Sequence, residues 1–350
     1  MKTNIKELSQ EETVLFLERL GQKPYRTRQL TDWIYKKLAA SFDEMTDLPG
    51  DLRAELASAA YLSRLNLLNE QTSRDGTRKF LFQLQDGETI ESVLIPGTRG
   101  PGRYTLCISS QVGCAARCRF CVTGRLGLIR NLKAVEIVDQ VIAVRRSVER
   151  GDGPEAPSVT NIVLMGMGEP LHNFTEVRRA LVILTGLMGF SKRRITLSTS
   201  GIATGIEKLA RVGPLVNLAV SLNATTDKVR SRIMPVNRKY PLRVLMKACR
   251  DFPLPPGRRI TFEYVLLGGV NDTREDALRL VRLLKGIKSK VNLIPCNPAG
   301  ADAEFQAPSE QALLTFQDIL RQAGMTVIVR KSMGADIAAA CGQLKAAYGR

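Results

Sequence analysis

A β-prone run leads directly into three closely spaced cysteines in the stretch Thr105-Leu-Cys-Ile-Ser-Ser-Gln-Val-Gly-Cys-Ala-Ala-Arg-Cys-Arg-Phe-Cys121. Cys114, Cys118 and Cys121 form a C-x3-C-x2-C pattern that supplies three thiolates from one loop. Structural zinc normally takes four protein ligands, whereas a 4Fe–4S cluster held by three thiolates leaves one iron free to bind a small molecule. The pattern therefore predicts a 4Fe–4S cluster with an open iron, which indicates chemistry and not scaffolding.

Short β-prone runs alternate with amphipathic helical patterns through the rest of the chain. The six runs cover residues 105–110, 161–165, 195–199, 216–222, 260–267 and 291–296. Such alternation is typical of a parallel sheet covered by helices. Six units are fewer than the eight of a closed barrel. We therefore predict an α/β fold with a partial (β/α)6 TIM-like barrel, to which residues 325–329 add one more strand.

The chain before this region has a different pattern. Its first sixty residues are rich in helix formers and predict a small helical accessory domain over residues 1–60. Two β-prone runs, 79–84 and 89–95, meet around Asp86-Gly87 and predict a β-hairpin within a linker over residues 61–100. The barrel then occupies residues 101–350.

The composition favours a polyanionic partner. Lys and Arg number 51 against 34 Asp and Glu, a formal charge of +17, and no acidic segment offsets the excess. Nucleic acid explains this better than solubility alone. The second predicted helix mixes bases with aromatic residues that fit RNA phosphates and bases, although Trp33 and Tyr35 fit a core equally well. These residues are Tyr25, Arg26, Arg28, Trp33, Tyr35, Lys36 and Lys37.

Cysteine usage and hydropathy indicate a cytoplasmic protein. Residues 1–6 do not resemble a secretion signal, and no apolar run is long enough to cross a bilayer, so we expect no membrane association. Seven cysteines, an odd number with three in eight residues, do not fit a secreted disulfide framework. Reduced thiols that serve a metal fit better. The only histidine, His172, has no nucleophile motif nearby, which argues against a histidine-dependent hydrolase.

Unusual polar segments follow several predicted strands. In parallel barrels the C-terminal strand ends carry the active site, so these segments should converge with the cysteine loop. Taken singly, each could be an ordinary turn or helix cap. Together they predict a site for S-adenosylmethionine, with Glu169 receiving its amino group and serine and asparagine side chains binding ribose and carboxylate oxygens. The predicted cofactor-binding residues are Gly168, Glu169, Ser198, Ser221, Leu222, Asn223 and Asn297.

These motifs together resemble the radical S-adenosylmethionine enzymes, and within them the RlmN/Cfr group of RNA adenine methyltransferases. The resemblance covers nearly the whole chain and is closest to the RlmN branch. One departure is Asn223, where the family commonly has histidine. The matching segments include Tyr25-Arg26, Trp33-Ile-Tyr35, Ser109-Ser-Gln-Val-Gly-Cys114, Gly166-Met-Gly-Glu-Pro-Leu171, Leu197-Ser-Thr-Ser-Gly201, Asn292-Leu-Ile-Pro295 and Ala340-Cys-Gly-Gln-Leu344.

The resemblance implies roles for residues whose chemistry the sequence alone leaves open. By similarity to the family, Cys341 accepts a methyl group from one S-adenosylmethionine, and a second molecule binds the open iron and provides the radical. RNA then becomes attached to Cys341, and Cys107 forms a disulfide with Cys341 that releases the product. Glu91 matches the family's proton acceptor. One 4Fe–4S cluster and two molecules of S-adenosylmethionine would thus serve each turnover.

The resemblance also implies substrates and partners. It suggests methylation of adenine carbon 2 in the peptidyl-transferase region of 23S rRNA and at the anticodon-adjacent adenosine of tRNAs. An electron donor such as flavodoxin or ferredoxin would reduce the cluster. We expect a monomer.

Three other interpretations remain open at this point. A Cfr-like enzyme would methylate adenine carbon 8 with the same cysteines and cluster. A non-enzymatic RNA-binding protein could hold structural zinc with Cys107, Cys114, Cys118 and Cys121, because four nearby thiolates are enough. A glycyl-radical activating enzyme would share the cluster and the barrel. We interpret Cys249 as a structural thiol on a helix.

Overall fold

A ten-stranded mixed sheet forms the centre of the molecule, in a computed structural model that describes residues 2–97, 102–149, 157–298 and 304–344. The predicted boundary at residues 100 and 101 lies outside the described residues, as do the last six residues of the predicted barrel domain. The order across the sheet is β14-β13-β12-β11-β10-β9-β6-β5-β4-β3. These strands are β3 (Asn66–Thr72), β4 (Arg78–Gln83), β5 (Thr89–Pro96), β6 (Arg103–Cys107), β9 (Ser158–Leu164), β10 (Ile195–Thr199), β11 (Asn217–Ser221), β12 (Ile260–Leu266), β13 (Ser289–Pro295) and β14 (Val327–Val329).

Seven of these strands run parallel, from β6 through β9 to β14. They correspond to the six predicted strands and the predicted extra one, so the expected partial barrel is confirmed. Helices connect and cover them, as the alternating pattern predicts. The helices are α1 (Gln10–Arg19), α2 (Tyr25–Tyr35), α3 (Gly50–Ala59), α4 (Val122–Leu126), α5 (Ala134–Val148), α6 (Phe174–Val182), α7 (Ala203–Val212), α8 (Asp227–Ile233), α9 (Leu242–Asp251), α10 (Arg274–Leu284) and α11 (Glu310–Gln322).

Three antiparallel strands, β3, β4 and β5, extend this sheet beyond β6. The predicted hairpin is the β4–β5 pair, whose register sets Phe82 opposite Ile90. The sequence does not predict β3, because its residues are mostly exposed and polar and lack the alternation of a half-buried strand. Two short pairs lie outside the sheet: β1 (Thr3–Asn4) with β2 (Ala60–Tyr61), and β7 (Gln111–Gly113) with β8 (Leu128–Asn131).

The N-terminal helices pack onto the barrel. Helix α1 begins at a capping box in which Ser9 and Glu12 exchange hydrogen bonds of 3.1 and 2.7 Å. Apolar residues of this part, such as Leu17 and Leu30, belong to the same core as the barrel. A buried ion pair between Lys6 and Asp139 of α5, 2.6 Å long, adds a polar anchor. Burial raises the pKa of Asp139 although Lys6 opposes the shift.

The two faces of the parallel sheet differ in chemistry, since side chains alternate along each strand. One face packs in the apolar core through residues such as Leu197, Leu218 and Phe262. The other face carries Cys107, Ser198, Ser221, Glu263 and Asn292, of which Ser221, Glu263 and Asn292 lie side by side on β11, β12 and β13. Apolar burial thus stabilises the sheet while leaving a polar inner face for chemistry. Within the described chain, no helix is long and apolar enough to span a membrane.

Candidate active site

The three clustered cysteines lie in a loop between β7 and α4. Cys121 immediately precedes α4, and its N–H donates to the Cys118 carbonyl at 3.1 Å. The Cys114 N–H donates to the Gly127 carbonyl at 2.7 Å, which ties the loop to the start of β8. A side chain on Gly113 would collide with that same carbonyl, so glycine is required there. The loop is therefore fixed at both ends by its own backbone.

The three thiols share one electrostatic environment. Burial raises the pKa of Cys114 to about 12, that of Cys118 well above its usual value, and that of Cys121. The charges of Cys121, Cys114 and Glu169 raise the Cys118 pKa further, and the buried Arg230 guanidinium partly offsets them. Burial is therefore the main cause of the raised pKa values, and the neighbouring thiols and Glu169 add to it for Cys114 and Cys118.

The donor set suits a cluster better than a single ion. Among the described residues, no group of three or more His, Cys, Asp or Glu side chains is arranged to hold one metal ion. A cluster does not require such convergence, because each cysteine binds a different iron. Buried thiols that the protein alone keeps protonated become thiolates when a metal binds them. Cys114, Cys118 and Cys121 therefore fit a three-thiolate iron–sulfur cluster.

The segment after β9 packs tightly against the end of β6. The Gly166 N–H donates to the Ile108 carbonyl at 3.1 Å, and a Cβ on Gly166 would lie 2.8 Å from the same backbone. Gly168 has φ +104°, and a Cβ there would lie 2.7 Å from the Gln111 backbone nitrogen. Both glycines are therefore needed for close approach. Gly168, a predicted cofactor-binding residue, therefore allows the backbone at Glu169 to lie close to the cysteine loop.

Glu169 lies beside the cysteine loop, as predicted. Its carboxylate accepts hydrogen bonds from the Leu171 N–H at 3.0 Å and the Ser200 N–H at 2.5 Å. Its charge contributes to the raised pKa values of Cys114 and Cys118. A carboxylate has about four acceptor positions, so two remain to receive an amino group.

Sequence reasoning missed a buried arginine, Arg230, that hydrogen-bonds to the ends of the two neighbouring strands β10 and β11. Arg230 of α8 is fully buried and donates to the carbonyls of Ser200 at 2.6 Å, Leu222 at 2.9 Å and Ser221 at 3.2 Å. Burial lowers its pKa to about 10, so it stays charged at neutral pH. Its neighbour Arg232 is exposed, and nothing in the sequence distinguishes the two.

The predicted cofactor-binding residues at the ends of β10 and β11 differ in whether their side chains already have hydrogen-bond partners in the protein. Ser198 is half-buried on the inner face, and its hydroxyl has no hydrogen-bond partner among the described residues. Asn223 is buried with φ +57°, its side-chain oxygen Oδ1 accepts the Val265 N–H at 2.8 Å, and its side-chain amide nitrogen lies 3.2 Å from the Met234 sulfur. The Asn223 side chain therefore bonds to the protein itself, and its predicted contact with S-adenosylmethionine stays a prediction.

The segment that carries Cys341 docks directly on the cysteine loop. The Val122 N–H donates to the Gly342 carbonyl at 2.7 Å, and the Thr123 hydroxyl donates to the Leu344 carbonyl at 2.6 Å. The structure therefore brings Cys341, more than two hundred positions along the chain, to the loop that holds the other thiols. Cys341 is solvent-exposed, although the surrounding protein raises its pKa by desolvation.

Asn297 supports the same segment from β13. Its amide lies 3.5 Å from the Cys341 carbonyl, a long hydrogen bond, and its side-chain oxygen accepts the Ser332 hydroxyl at 2.6 Å. This predicted cofactor residue therefore already contacts the segment that bears Cys341.

A set of contacts that we call the C-terminal latch fixes the start of the Cys341 segment, residues 334–344. Asp336 accepts the Ser73 hydroxyl at 2.5 Å and the Arg74 N–H at 3.2 Å, and Asp75 accepts the Gly334 N–H at 2.8 Å. Burial acts to raise the pKa of Asp75, but hydrogen bonds from Gly334, Thr77 and Ser73 outweigh it and lower the pKa to about 2. The β3–β4 turn thus holds the chain five to seven residues before Cys341.

Cys107 and Cys341 lie within electrostatic reach of each other. Cys107 is buried at the end of β6, and burial followed by the nearby Cys341 raises its pKa to about 12. The charge of Cys121 in turn raises the pKa of Cys341. Because no three or more His, Cys, Asp or Glu side chains of the described residues are arranged to hold one metal ion, the four-thiolate zinc site that includes Cys107 is not supported.

Glu91 lies on β5, the neighbouring strand. Its carboxylate pairs with Lys79 at 3.2 Å, and the pair is nearly buried. The Lys79 ammonium also lies 3.5 Å from the Ala338 carbonyl, in the segment before Cys341. The Ser109 hydroxyl donates to the Glu91 carbonyl at 2.6 Å, which joins this strand to the region beside Cys107. A lysine therefore links Glu91 to the Cys341 segment.

Sequence reasoning also missed a hydrogen-bonded pair of polar side chains on β12 and β13. Glu263 accepts the Asn292 amide at 2.9 Å, and burial raises its pKa. After desolvation, Glu263 is the largest contributor to the raised pKa of Cys341, and Arg330 acts in the other direction. The available signal was a carboxylate at an inward position of an apolar strand.

Comparison with known proteins agrees with this arrangement. Residues 3–62 match the family model of the ribosomal RNA large subunit methyltransferase N-terminal domain, and residues 108–281 match the radical SAM superfamily. A dual-specificity RNA methyltransferase RlmN of Pelobacter propionicus is 53% identical over 98% of this chain and 96% of its own length. The protein of that name from Geobacter sulfurreducens is 55% identical over 98% of this chain and 92% of its own length. A radical SAM methyltransferase crystal structure from Sphaerobacter thermophilus superposes with TM-score 0.90 at 47% identity, covering 99% of this chain and 100% of that one.

The fold and the site together define a radical S-adenosylmethionine methyltransferase, an enzyme class that uses a 4Fe–4S cluster and S-adenosylmethionine. The chain belongs to the RlmN family of RNA methyltransferases. The resemblance inferred from the sequence is thus confirmed.

Proposed function

We propose that this enzyme methylates carbon 2 of adenine in 23S rRNA and in tRNAs, and that the methyl group travels on Cys341. The observation that carries this proposal is the docking of Cys341 on the cysteine loop, within electrostatic reach of both Cys121 and Cys107. A thiol in that position can exchange atoms with a cofactor at the cluster and then with a second thiol.

In this proposal Cys114, Cys118 and Cys121 hold the cluster. When bound, the cluster supplies one electron that cleaves S-adenosylmethionine into methionine and a 5′-deoxyadenosyl radical. Glu169 orients the amino group of S-adenosylmethionine with the acceptor positions that its backbone partners leave open. Ser198, Ser221, Leu222, Asn223 and Asn297 complete the cofactor site.

The properties of carbon 2 explain why a carrier is needed. It lies between two ring nitrogens and is electron-poor, so it cannot attack an electrophilic methyl group. A cysteine thiolate can, which makes the first methyl transfer to Cys341 an ordinary displacement. The radical formed from the second S-adenosylmethionine would remove a hydrogen atom from that methyl group, and the resulting carbon radical would bond to carbon 2. The adduct would then lose the carbon-2 proton to Glu91 and return its unpaired electron to the cluster. Two molecules of S-adenosylmethionine are consumed in each turnover.

In this proposal Cys107 and Glu91 release the product. The Cys107 thiolate would attack the sulfur of Cys341, so that an S–S bond forms and the C–S bond to RNA breaks, and the released carbon would take up a proton from water to become the methyl group. Glu91 accepts the proton that leaves the substrate. The paired Lys79 ties Glu91 to the Cys341 segment.

Recognition of RNA is assigned to the N-terminal part, over residues 1–60, with residues 61–100 as linker and 101–350 as barrel. Tyr25 is 55% exposed with the Arg26 guanidinium 4.9 Å from its ring, and the Arg28 side chain is largely exposed. These groups suit stacking and phosphate contact. Tyr35 is buried and belongs to the core. We further propose that the enzyme is a cytoplasmic monomer.

Nucleoside analysis tests the choice of position. The cluster is reconstituted without oxygen, and 23S rRNA fragments and tRNA transcripts are incubated with S-adenosylmethionine and dithionite. We expect 2-methyladenosine in both RNAs. The alternative, a Cfr-like enzyme, yields 8-methyladenosine, and its appearance without 2-methyladenosine would overturn the proposal.

A further inference from the structure

An exposed apolar segment borders the cysteine loop and has no role in the chemistry described so far. Leu126, Leu128 and Ile129 are 55%, 44% and 57% exposed. Elsewhere in the described chain, large exposed apolar residues are separated from one another along the sequence, as is common on protein surfaces. Three within four residues form a patch of the kind that marks an interaction site. We call residues 126–129 the apolar patch.

The apolar patch lies directly against two of the proposed cluster ligands. The Gly127 carbonyl, inside the patch, accepts the Cys114 N–H at 2.7 Å. The residue just before the patch, Arg125, donates its backbone N–H to the Cys121 carbonyl at 3.3 Å. A protein that covers this patch would therefore come within a few bonds of the cluster. Electron transfer between proteins requires such proximity.

Two unneutralised arginines accompany the apolar patch. Among the described residues, neither Arg117, between two of the cysteines, nor Arg125 forms an ion pair with a carboxylate. The Arg125 side chain donates to the Arg119 carbonyl at 3.0 Å, so its position is fixed while its charge remains available. Arg119 itself pairs with Glu304 at 2.7 Å. Two free positive charges beside an apolar surface complement an acidic protein.

We propose that the apolar patch, with Arg117 and Arg125, docks an acidic electron-donor protein that carries a flavin or an iron–sulfur centre. The donor is oxidised by one electron and the cluster is reduced by one, with no transfer of atoms. This inference rests on the proposed function only in its need for a reduced cluster. An RNA partner fits less well, because RNA recognition uses aromatic side chains for stacking, whereas the apolar patch is aliphatic.

Direct binding tests this proposal apart from catalysis. The affinity of a purified flavodoxin for the cluster-loaded enzyme is measured by calorimetry at low and high salt. We expect Ile129→Asp to weaken binding by at least about tenfold, because it places a like charge against an acidic partner at the interface centre. The matched control is Leu314→Asp, on α11, whose side chain is 45% exposed and which should bind as the wild type does. The milder Ile129→Ala should weaken binding in the same direction.

Activity measurements separate this inference from the proposed function. With dithionite as reductant, Ile129→Asp should methylate RNA at the wild-type rate, whereas with reduced flavodoxin it should be slower by the same factor as binding. Equal flavodoxin affinity of Ile129→Asp and wild type would overturn the docking proposal, as would absence of wild-type binding to both flavodoxin and ferredoxin. Loss of RNA affinity in Ile129→Asp would assign the apolar patch to RNA instead. Failure of dithionite-driven methylation in the wild type would count against the proposed function and leave the binding result standing.

Discussion

The seven cysteines have three kinds of surroundings, and these separate their roles. One group of three shares a loop and a common electrostatic environment, and a pair consists of one thiol at the end of β6 and one on the C-terminal segment that contacts this loop. The remaining two are buried in apolar clusters. The groups are Cys114, Cys118 and Cys121; Cys107 and Cys341; and Cys249 and Cys296.

Replacement of Cys107 should trap the reaction after RNA has become attached. Cys107→Ala leaves Cys341 able to receive the methyl group and add to adenine, but removes the thiol that attacks the Cys341 sulfur. We expect a covalent protein–RNA species that denaturing electrophoresis detects and nuclease treatment shortens. Cys249→Ala, a change at a buried helical thiol, is the control and should turn over normally. Absence of any adduct from Cys107→Ala would refute the releasing role.

Arg230 should matter more for stability than any other arginine on its helix. Arg230→Met leaves the Ser200, Ser221 and Leu222 carbonyls without their buried partner, so we expect a loss of about 3 kcal/mol in the free energy of unfolding. Arg232→Met, on the same helix and exposed, should change it by less than about 0.5 kcal/mol. Urea denaturation measures both. Similar small effects in the two variants would contradict the role given to Arg230.

At the level of elements, short segments from distant parts of the chain form the site. The β7–α4 loop carries the thiols proposed to hold the cluster, and the C-terminal segment lies on α4 through two backbone acceptors. The C-terminal latch connects that segment to the β3–β4 turn. The antiparallel extension of the sheet therefore positions Cys341, in addition to completing the fold.

Loss of the latch should slow the loading of Cys341. Asp336→Ala removes the acceptor for Ser73 and Arg74, so residues 334–344 should move more freely. We expect methylation of Cys341, followed by mass spectrometry of the intact protein, to slow by about tenfold because the thiol is less often in place. Amide hydrogen exchange of the segment should increase. Asp318→Ala, at an exposed position of α11, serves as control. Unchanged exchange and unchanged methylation in Asp336→Ala would exclude a positioning role.

The latch should not respond to pH in the range where the enzyme works. The pKa of Asp75 falls from 3.8 to about 2 in the folded protein. A lowered folded-state pKa contributes stability above the unfolded value, and this contribution is lost as pH falls through the folded value. Amide exchange of Gly334 should therefore be protected equally at pH 6 and pH 8. Protection that differs between these two values would show that another group controls the latch.

Much of the fold is predictable from the sequence, because six β-prone runs and their helices alternate clearly. The contacts within the site are less predictable. Arg230 and Arg232 look alike in sequence, and only packing buries one of them. Strand β3 has no apolar alternation. The approach of Cys341 to Cys121 joins residues more than two hundred positions apart, so no local pattern could indicate it.

On the scale of the whole molecule, the charge of +17 should dominate the affinity for RNA. Each cation that contacts a phosphate releases a counterion, so the logarithm of the binding constant should fall linearly with the logarithm of salt concentration. Arg28→Ala should weaken binding and reduce the magnitude of this slope by about one. Arg211→Ala, on α7 of the barrel, is the matched control and should leave the slope unchanged. An unchanged slope in Arg28→Ala would remove Arg28 from the RNA interface.

The central claim is that the methyl group is carried by Cys341 and activated by hydrogen removal before it reaches RNA. Enzyme that has been loaded with a trideuterated methyl group from labelled S-adenosylmethionine tests this in a single turnover with unlabelled S-adenosylmethionine and RNA. The account predicts a methyladenosine that retains two deuterium atoms and a 5′-deoxyadenosine that has gained one. A methyladenosine with all three deuterium atoms, or with none, would contradict it.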